Sequence, residues 1–192
     1  GFNHTVGTAG LAGIFGRRFS DRRLVEFGIN FEGVDVADHS VASANSADGS
    51  ITSEEEISEE DLPPAIRAAV GKDFRTILHV DWQHDTRATE KRAGSPVGGA
   101  WGRLKGTFVG QSGGSHAGLQ ADARVFQNAP GGVFAARIRG VWVGEQAAFY
   151  DRPYLGGMYT VRGFATNALS APGGDTWLWS SSLEYRTRIL GD

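Results

Sequence analysis

The chain has no cysteine among its 192 residues, which excludes a disulfide framework, a thiolate metal site and a thiol nucleophile. It has no apolar run near the roughly 18 residues that a transmembrane helix needs. Charge of one sign is missing too: 19 Lys and Arg stand against 22 Asp and Glu, for a net charge of −3. Nothing global therefore attracts nucleic acid. The first residues, Gly1-Phe2-Asn3, include no initiator Met and no basic or apolar leader. Either a targeting segment has been removed or the chain is an excised fragment.

Catalytic signatures are equally absent. The five His residues at 4, 39, 79, 84 and 116 form no HExxH pattern, and no G-x-S-x-G elbow occurs. Gly10, Gly13 and Gly16 precede no Lys-Ser/Thr, so they read as small residues in a strand rather than a phosphate cradle. Asp48, Gly49 and Glu55 mimic half of a calcium loop, but Ala44 and Ser46 stand where carboxylate-type ligands belong. His79, Asp81 and Asp85 share a strand face and read as a polar network rather than a metal site. The expectation is a protein that is not an enzyme and uses no cofactor or metal.

Glycine and aromatics are abundant. There are 28 Gly, 5 Trp, 4 Tyr and 11 Phe, and glycine at about 15% is twice its usual share. That composition favours strands and turns. Apolar and polar residues alternate over seven segments: 5–19, 22–36, 74–85, 100–110, 116–127, 133–144 and 176–190. In the second, Val25, Phe27, Ile29 and Phe31 oppose Glu26, Gly28, Asn30 and Glu32. In the last, Trp177, Trp179, Leu183 and Tyr185 oppose Ser180, Ser182, Glu184 and Arg186. The fold class expected is all-β and antiparallel.

At 11 to 15 residues these segments exceed the usual strand of about 5–6 residues and suit membrane-spanning strands of about 9–11. Trp82, Trp142, Trp177 and Trp179 fall near strand ends, as an interfacial aromatic girdle requires. The apolar set Val25, Phe27, Leu78, Val80, Leu119, Ile138 and Leu183 would then face lipid, with Gln120 and Ser182 facing the lumen. Tight turns at Ser20-Asp21 and at residues 128–132 alternate with longer connections. Counting strand by strand, the two long ones, about 37–73 and 145–175, fall on the same side of the sheet. Outer-membrane barrels place their long loops on the extracellular side. Inside the first long connection, residues 53–61 are acidic, and residues 62–70 predict one short helix starting at the prolines.

Three motifs then stand in order. Asp85-Thr-Arg87 is followed by Pro96 and Gly98-Gly99 at a strand entry. Tyr154-Leu-Gly156-Gly157-Met-Tyr-Thr-Val161-Arg162-Gly163-Phe164 lies in the second long loop, and Ser182-Leu-Glu184-Tyr185 in the last strand. Together they resemble the D-x-R…P-x-x-G, GG…VRGF and S-x-E-Y patterns of the bacterial outer-membrane assembly and surface-antigen superfamily (BamA/TamA-type, related to two-partner-secretion transporters). The resemblance covers about residues 80–192. It implies a sixteen-stranded transmembrane barrel preceded by periplasmic POTRA modules, of which residues 1–192 would be a partial barrel domain of about seven strands. It also implies a location in the bacterial outer membrane. The partners implied are outer-membrane lipid, client outer-membrane or secreted proteins and accessory assembly lipoproteins, with no nucleic acid. The VRGF loop would tuck into the lumen, with Arg162 forking onto a carboxylate for which Glu184 is the in-chain candidate. The acidic insertion in 37–73 matches no subfamily pattern. Two alternatives stay open: a barrel serving as anchor or pore of a fused surface enzyme, and a soluble β-sandwich binding module.

Overall fold

The computed structural model describes residues 2–43, 53–56, 64–89, 96–158 and 160–187. Its strands are β1 (Phe2–Ser20), β2 (Arg23–Ser43), β3 (Ser53–Glu56), β4 (Gly71–Asp85), β5 (Ala88–Thr89), β6 (Pro96–Gln111), β7 (Gly114–Ala129), β8 (Gly132–Val143) and β9 (Trp177–Thr187). One helical turn, α1 (Pro64–Arg67), begins at the second of two consecutive prolines, a residue whose fixed φ suits a helix start. The long strands form one antiparallel sheet in the order β1-β2-β4-β6-β7-β8-β9, with β3 on β2 and β5 on β6. These seven long strands are the seven alternating segments. Among the described residues no second sheet packs on the first, so the sandwich reading falls.

Register separates the faces. Across the sheet, Phe15, Phe27, Val80, Gly106, Leu119, Trp142 and Trp177 are successive cross-strand partners. A row on the other face runs Arg18, Leu24, Gln83, Arg103, Asp122, Arg139 and Ser180. Because cross-strand partners project to the same side, one face is apolar and the other mainly polar over the whole width. Solvent exposure follows the same division: Leu183 is 76% exposed and Asp81 only 3%. All seven positions expected to face lipid lie on the apolar face.

β1, β2, β4, β6 and β7 outrun their predicted bounds, while β8 keeps its predicted length and β9 begins one residue later than predicted. β1 and β2 have 19 and 21 residues, where alternation predicts 15 each. The connection assigned to 37–73 therefore contains the end of β2, the short β3 hairpinned onto it from Ser40↔Glu56 to Ser43↔Ser53, α1 and the start of β4. Alternation is legible only where one face is apolar, and the run Asp38-His-Ser-Val-Ala-Ser43 offers no such face. Asp48 and Gly49 of the half calcium loop, the acidic run beyond Glu56 and the last predicted strand residues, 188–190, lie outside the described residues, while Glu55 is in β3.

A small apolar cluster sits on the polar face. Val34 and Val36 of β2, Ile66 of α1 and Phe149 of the 145–175 connection are buried together, with Val6, Ala69, Val70 and Tyr150 packed around them.

Candidate functional site

The connection between β8 and β9 is built on the polar face and hydrogen-bonded to itself. Asp175 N–H donates to Pro153 O at 3.1 Å and Leu169 N–H to Leu155 O at 3.0 Å. Leu155 N–H donates to Ser170 Oγ at 2.8 Å. These bonds draw the two arms of the loop into a ladder, closed at its tip by the isolated bridge Gly157↔Val161. Gly156, Gly157 and Gly163 have φ of +118°, +96° and +90°, a left-handed region that side chains disfavour. At Gly156 space is closed as well: a Cβ would stand 2.6 Å from Ala165 O. The double glycine is thus what lets the arms approach. Tyr154 steadies the lower arm by donating from its hydroxyl to Phe149 O at 3.2 Å. Burial raises the pKa of that phenol above its ordinary value, which keeps the donor protonated.

The tip lies beside the wall of β7–β9. Arg162 Nη2 is 3.8 Å from Glu184 Oε1, while Arg186 Nη2 and Nε donate to Glu184 Oε2 at 2.9 and 3.1 Å. Val161 is half-buried, Phe164 is exposed, and the Arg162 side chain is 81% exposed. Glu184 therefore has Arg186 as its close partner and Arg162 as a second, longer one.

The D-x-R turn is held by its own pair. Asp85 Oδ1 accepts from Arg87 N–H at 3.0 Å and from Arg87 Nε at 2.9 Å, and Oδ2 accepts from Nη2 at 2.6 Å. Thr86 and Ala100 lock β6 against the turn: Thr86 N–H donates to Ala100 O at 2.8 Å, and Ala100 N–H to Thr86 Oγ1 at 3.1 Å. Pro96 begins β6 opposite Thr89. The glycine that this turn demands is Gly99, not Gly98. Gly99 has φ +86°, and a Cβ there would meet Thr86 O at 2.2 Å, whereas a Cβ on Gly98 would meet nothing within 4 Å.

The structure brings the two motifs together. Arg87, Pro96, Arg124, Arg137, Arg162 and Glu184 all line one groove of about 620 Å³ between loop tip and wall. It is strongly basic and mostly self-paired: Arg124 and Arg137 both donate to Asp122, at 3.0–3.2 Å and 2.7–3.1 Å. The Arg124 guanidinium also lies 4.7 Å from the centre of the Trp101 ring, a cation–π contact. His79, Asp81 and Asp85 do not converge. Asp81 is engaged by Arg103 and Asp85 by Arg87, and the His79 ring lies so close over Gly28 that a Cβ there would touch it at 2.0 Å.

Residues that no motif signalled hold the loop's other end. Arg75 of β4, 8% exposed, donates from Nη1 to both carboxylate oxygens of Asp151 at 2.7 Å. Its Nε and Nη2 donate to Glu32 Oε2 at 3.0 and 2.8 Å. His116 Nε2 stands 3.6 Å from Asp151. Arg75 was legible as a charge on the inward face of its strand. Asp151 sits in no recognisable pattern.

No catalytic constellation arises among the described residues; what they build is a loop pinned along a charged wall. No curated protein matches the sequence. Among solved structures, the crystal structure of BamA from Haemophilus ducreyi lacking POTRA domains 1–3 matches with a TM-score of 0.71 at 14% sequence identity, covering 98% of this chain and 39% of that one. The chain thus spans well under half the length of the protein it resembles, and the likeness is one of fold. The family described as the Omp85 superfamily domain matches residues 2–192. The chain belongs to the Omp85 superfamily, and its antiparallel sheet is transmembrane β-barrel wall of the bacterial outer membrane.

Proposed function

We propose that this chain is part of a machine that inserts proteins into the bacterial outer membrane or transports them across it. The observation that carries the reading is the family match over residues 2–192 in a chain whose GG…VRGF segment lies against the polar wall. Residues 1–192 act as one stretch of barrel, with the connections about 37–73 and 145–175 on the extracellular side. The mechanism needs no cofactor and no catalytic residue. A barrel that lends strand edges lets a client strand pair before its backbone polar groups meet lipid unsatisfied. Gly156, Gly157 and Gly163 let the inward loop turn, and Val161, Arg162 and Phe164 form its tip. Glu184 and Arg186 receive it, and the Asp85–Arg87 pair with Pro96 fixes the turn beneath it. Partners are outer-membrane lipid, unfolded barrel or secreted clients, and accessory lipoproteins.

The test is reconstitution of the full-length protein in liposomes with an unfolded barrel client and, separately, a secreted client. Client insertion or transport above that of empty liposomes supports the reading. Rates equal to empty liposomes for every client class, from a protein that is itself folded in the bilayer, overturn it.

A further inference from the structure

The 145–175 loop is attached to the wall at two places of different kind. At the tip, Arg162 is 81% exposed and 3.8 Å from a carboxylate already served by Arg186; exposed pairs of this kind contribute little. At the root, Phe149 is 1% exposed among Val34, Val36 and Ile66. Beside it the buried Arg75 grips Asp151 and Glu32 with four short hydrogen bonds. The Tyr150 ring centre lies 5.1 Å from the Arg75 guanidinium.

The position of this grip in the sheet matters. The loop leaves β8 and returns into β9, yet Arg75 is on β4 and Glu32 on β2. It therefore crosses β7 and β6 and ties one side of the wall to the other. We infer that Arg75 is the positioning residue of the loop: its bond to Asp151, and not the VRGF tip, keeps the loop on the wall and makes it a strut across the sheet. Removing Arg75 leaves Asp151 and Glu32 without their shared cation, and removing Asp151 leaves Arg75 with Glu32 alone in a buried site, which is costly, whereas losing the tip contact frees only the tip. For activity, the inference rests on the proposed insertion or transport function; for loop position it stands alone.

Ala147 is 3% exposed and lies at the root, and this chain has no cysteine of its own. Ala147→Cys, in a full-length protein with any cysteine outside residues 1–192 replaced, therefore makes a buried reporter. Maleimide labelling of the full-length protein in native membranes is measured in backgrounds of Arg75→Gln, Asp151→Asn, Arg75→Lys and Arg162→Ala. The expected result is labelling faster by about tenfold or more in Arg75→Gln and Asp151→Asn, as a broken buried pair implies. Arg75→Lys should fall between, because one ammonium does not fork onto two acids. Arg162→Ala should change the rate by less than about twofold. Asp151→Asn substitutes a loop residue and leaves Arg75 its two bonds to Glu32, so it tests the loop without changing a strand residue. Protection of the introduced thiol unchanged in Asp151→Asn, or released equally by Arg162→Ala, overturns the inference. A released loop with client insertion unchanged leaves the inference standing and removes the loop from the proposed function.

Discussion

At the scale of single residues, the same side chain does different work according to its surroundings. Arg75 is enclosed and saturated with acids, and Arg162 is open and shares Glu184 with Arg186. Replacing Arg162 with Ala in the full-length protein should speed protease cutting near the VRGF tip, leave membrane insertion intact and weaken client assembly. Unchanged cutting and activity would remove Arg162 from any role. The wall residues offer a second contrast. Arg in place of Leu78 or Ile138 near the bilayer midplane should cost about 2–4 kcal/mol, measured by denaturant unfolding from membranes. Arg in place of Gln120 or Ser182, on the polar face, should cost much less. Equal costs on the two faces would show that the alternation does not report a bilayer.

At the scale of elements, the turn between β4 and β6 is the sharpest test, because two adjacent glycines make opposite forecasts. Gly99 combines positive φ with a wall of backbone at Thr86, and Gly98 has open space. Gly99→Ala should destabilise the barrel by about 2 kcal/mol or more, the scale of a strained left-handed residue, while Gly98→Ala should be close to neutral. Heat-modified gel mobility of the folded barrel and denaturant midpoints both read this difference. Seen as sequence, Gly98-Gly99 is one feature; only the hydrogen-bonded approach of Thr86 to Ala100 tells the two glycines apart. The ends of β1 and β2 were hidden for a related reason. Strand pairing continues there through backbone hydrogen bonds, which any sequence makes, after the apolar face that marks the strand has ended.

At the scale of the whole molecule, the sheet is wide, apolar on one face and, among the described residues, open at β1 and β9. Unpaired edges and a large apolar surface drive association in water. The isolated 192-residue chain should therefore aggregate without detergent, and light scattering checks this. A monodisperse, cooperatively unfolding monomer in plain buffer would mean that the apolar face is covered by something other than lipid.

What the sequence determined by itself is the local pattern: seven strands, their inward and outward faces, the turns between them, and three motifs whose order resembles one superfamily. Each of these is written in neighbouring residues, so period two and turn chemistry expose it directly. What only the tertiary structure decided is which distant residues meet. The Asp85–Arg87 turn and the VRGF tip share one groove although they lie far apart in the chain and the loop leaves β8 at the opposite end of the sheet, because the loop's own hydrogen-bonded ladder carries its tip along the polar face to that turn. Arg75 and Asp151, 76 positions apart, carry no common motif. Their pairing follows from a loop crossing β7 and β6 and from burial of Phe149, and neither exists until the sheet has formed.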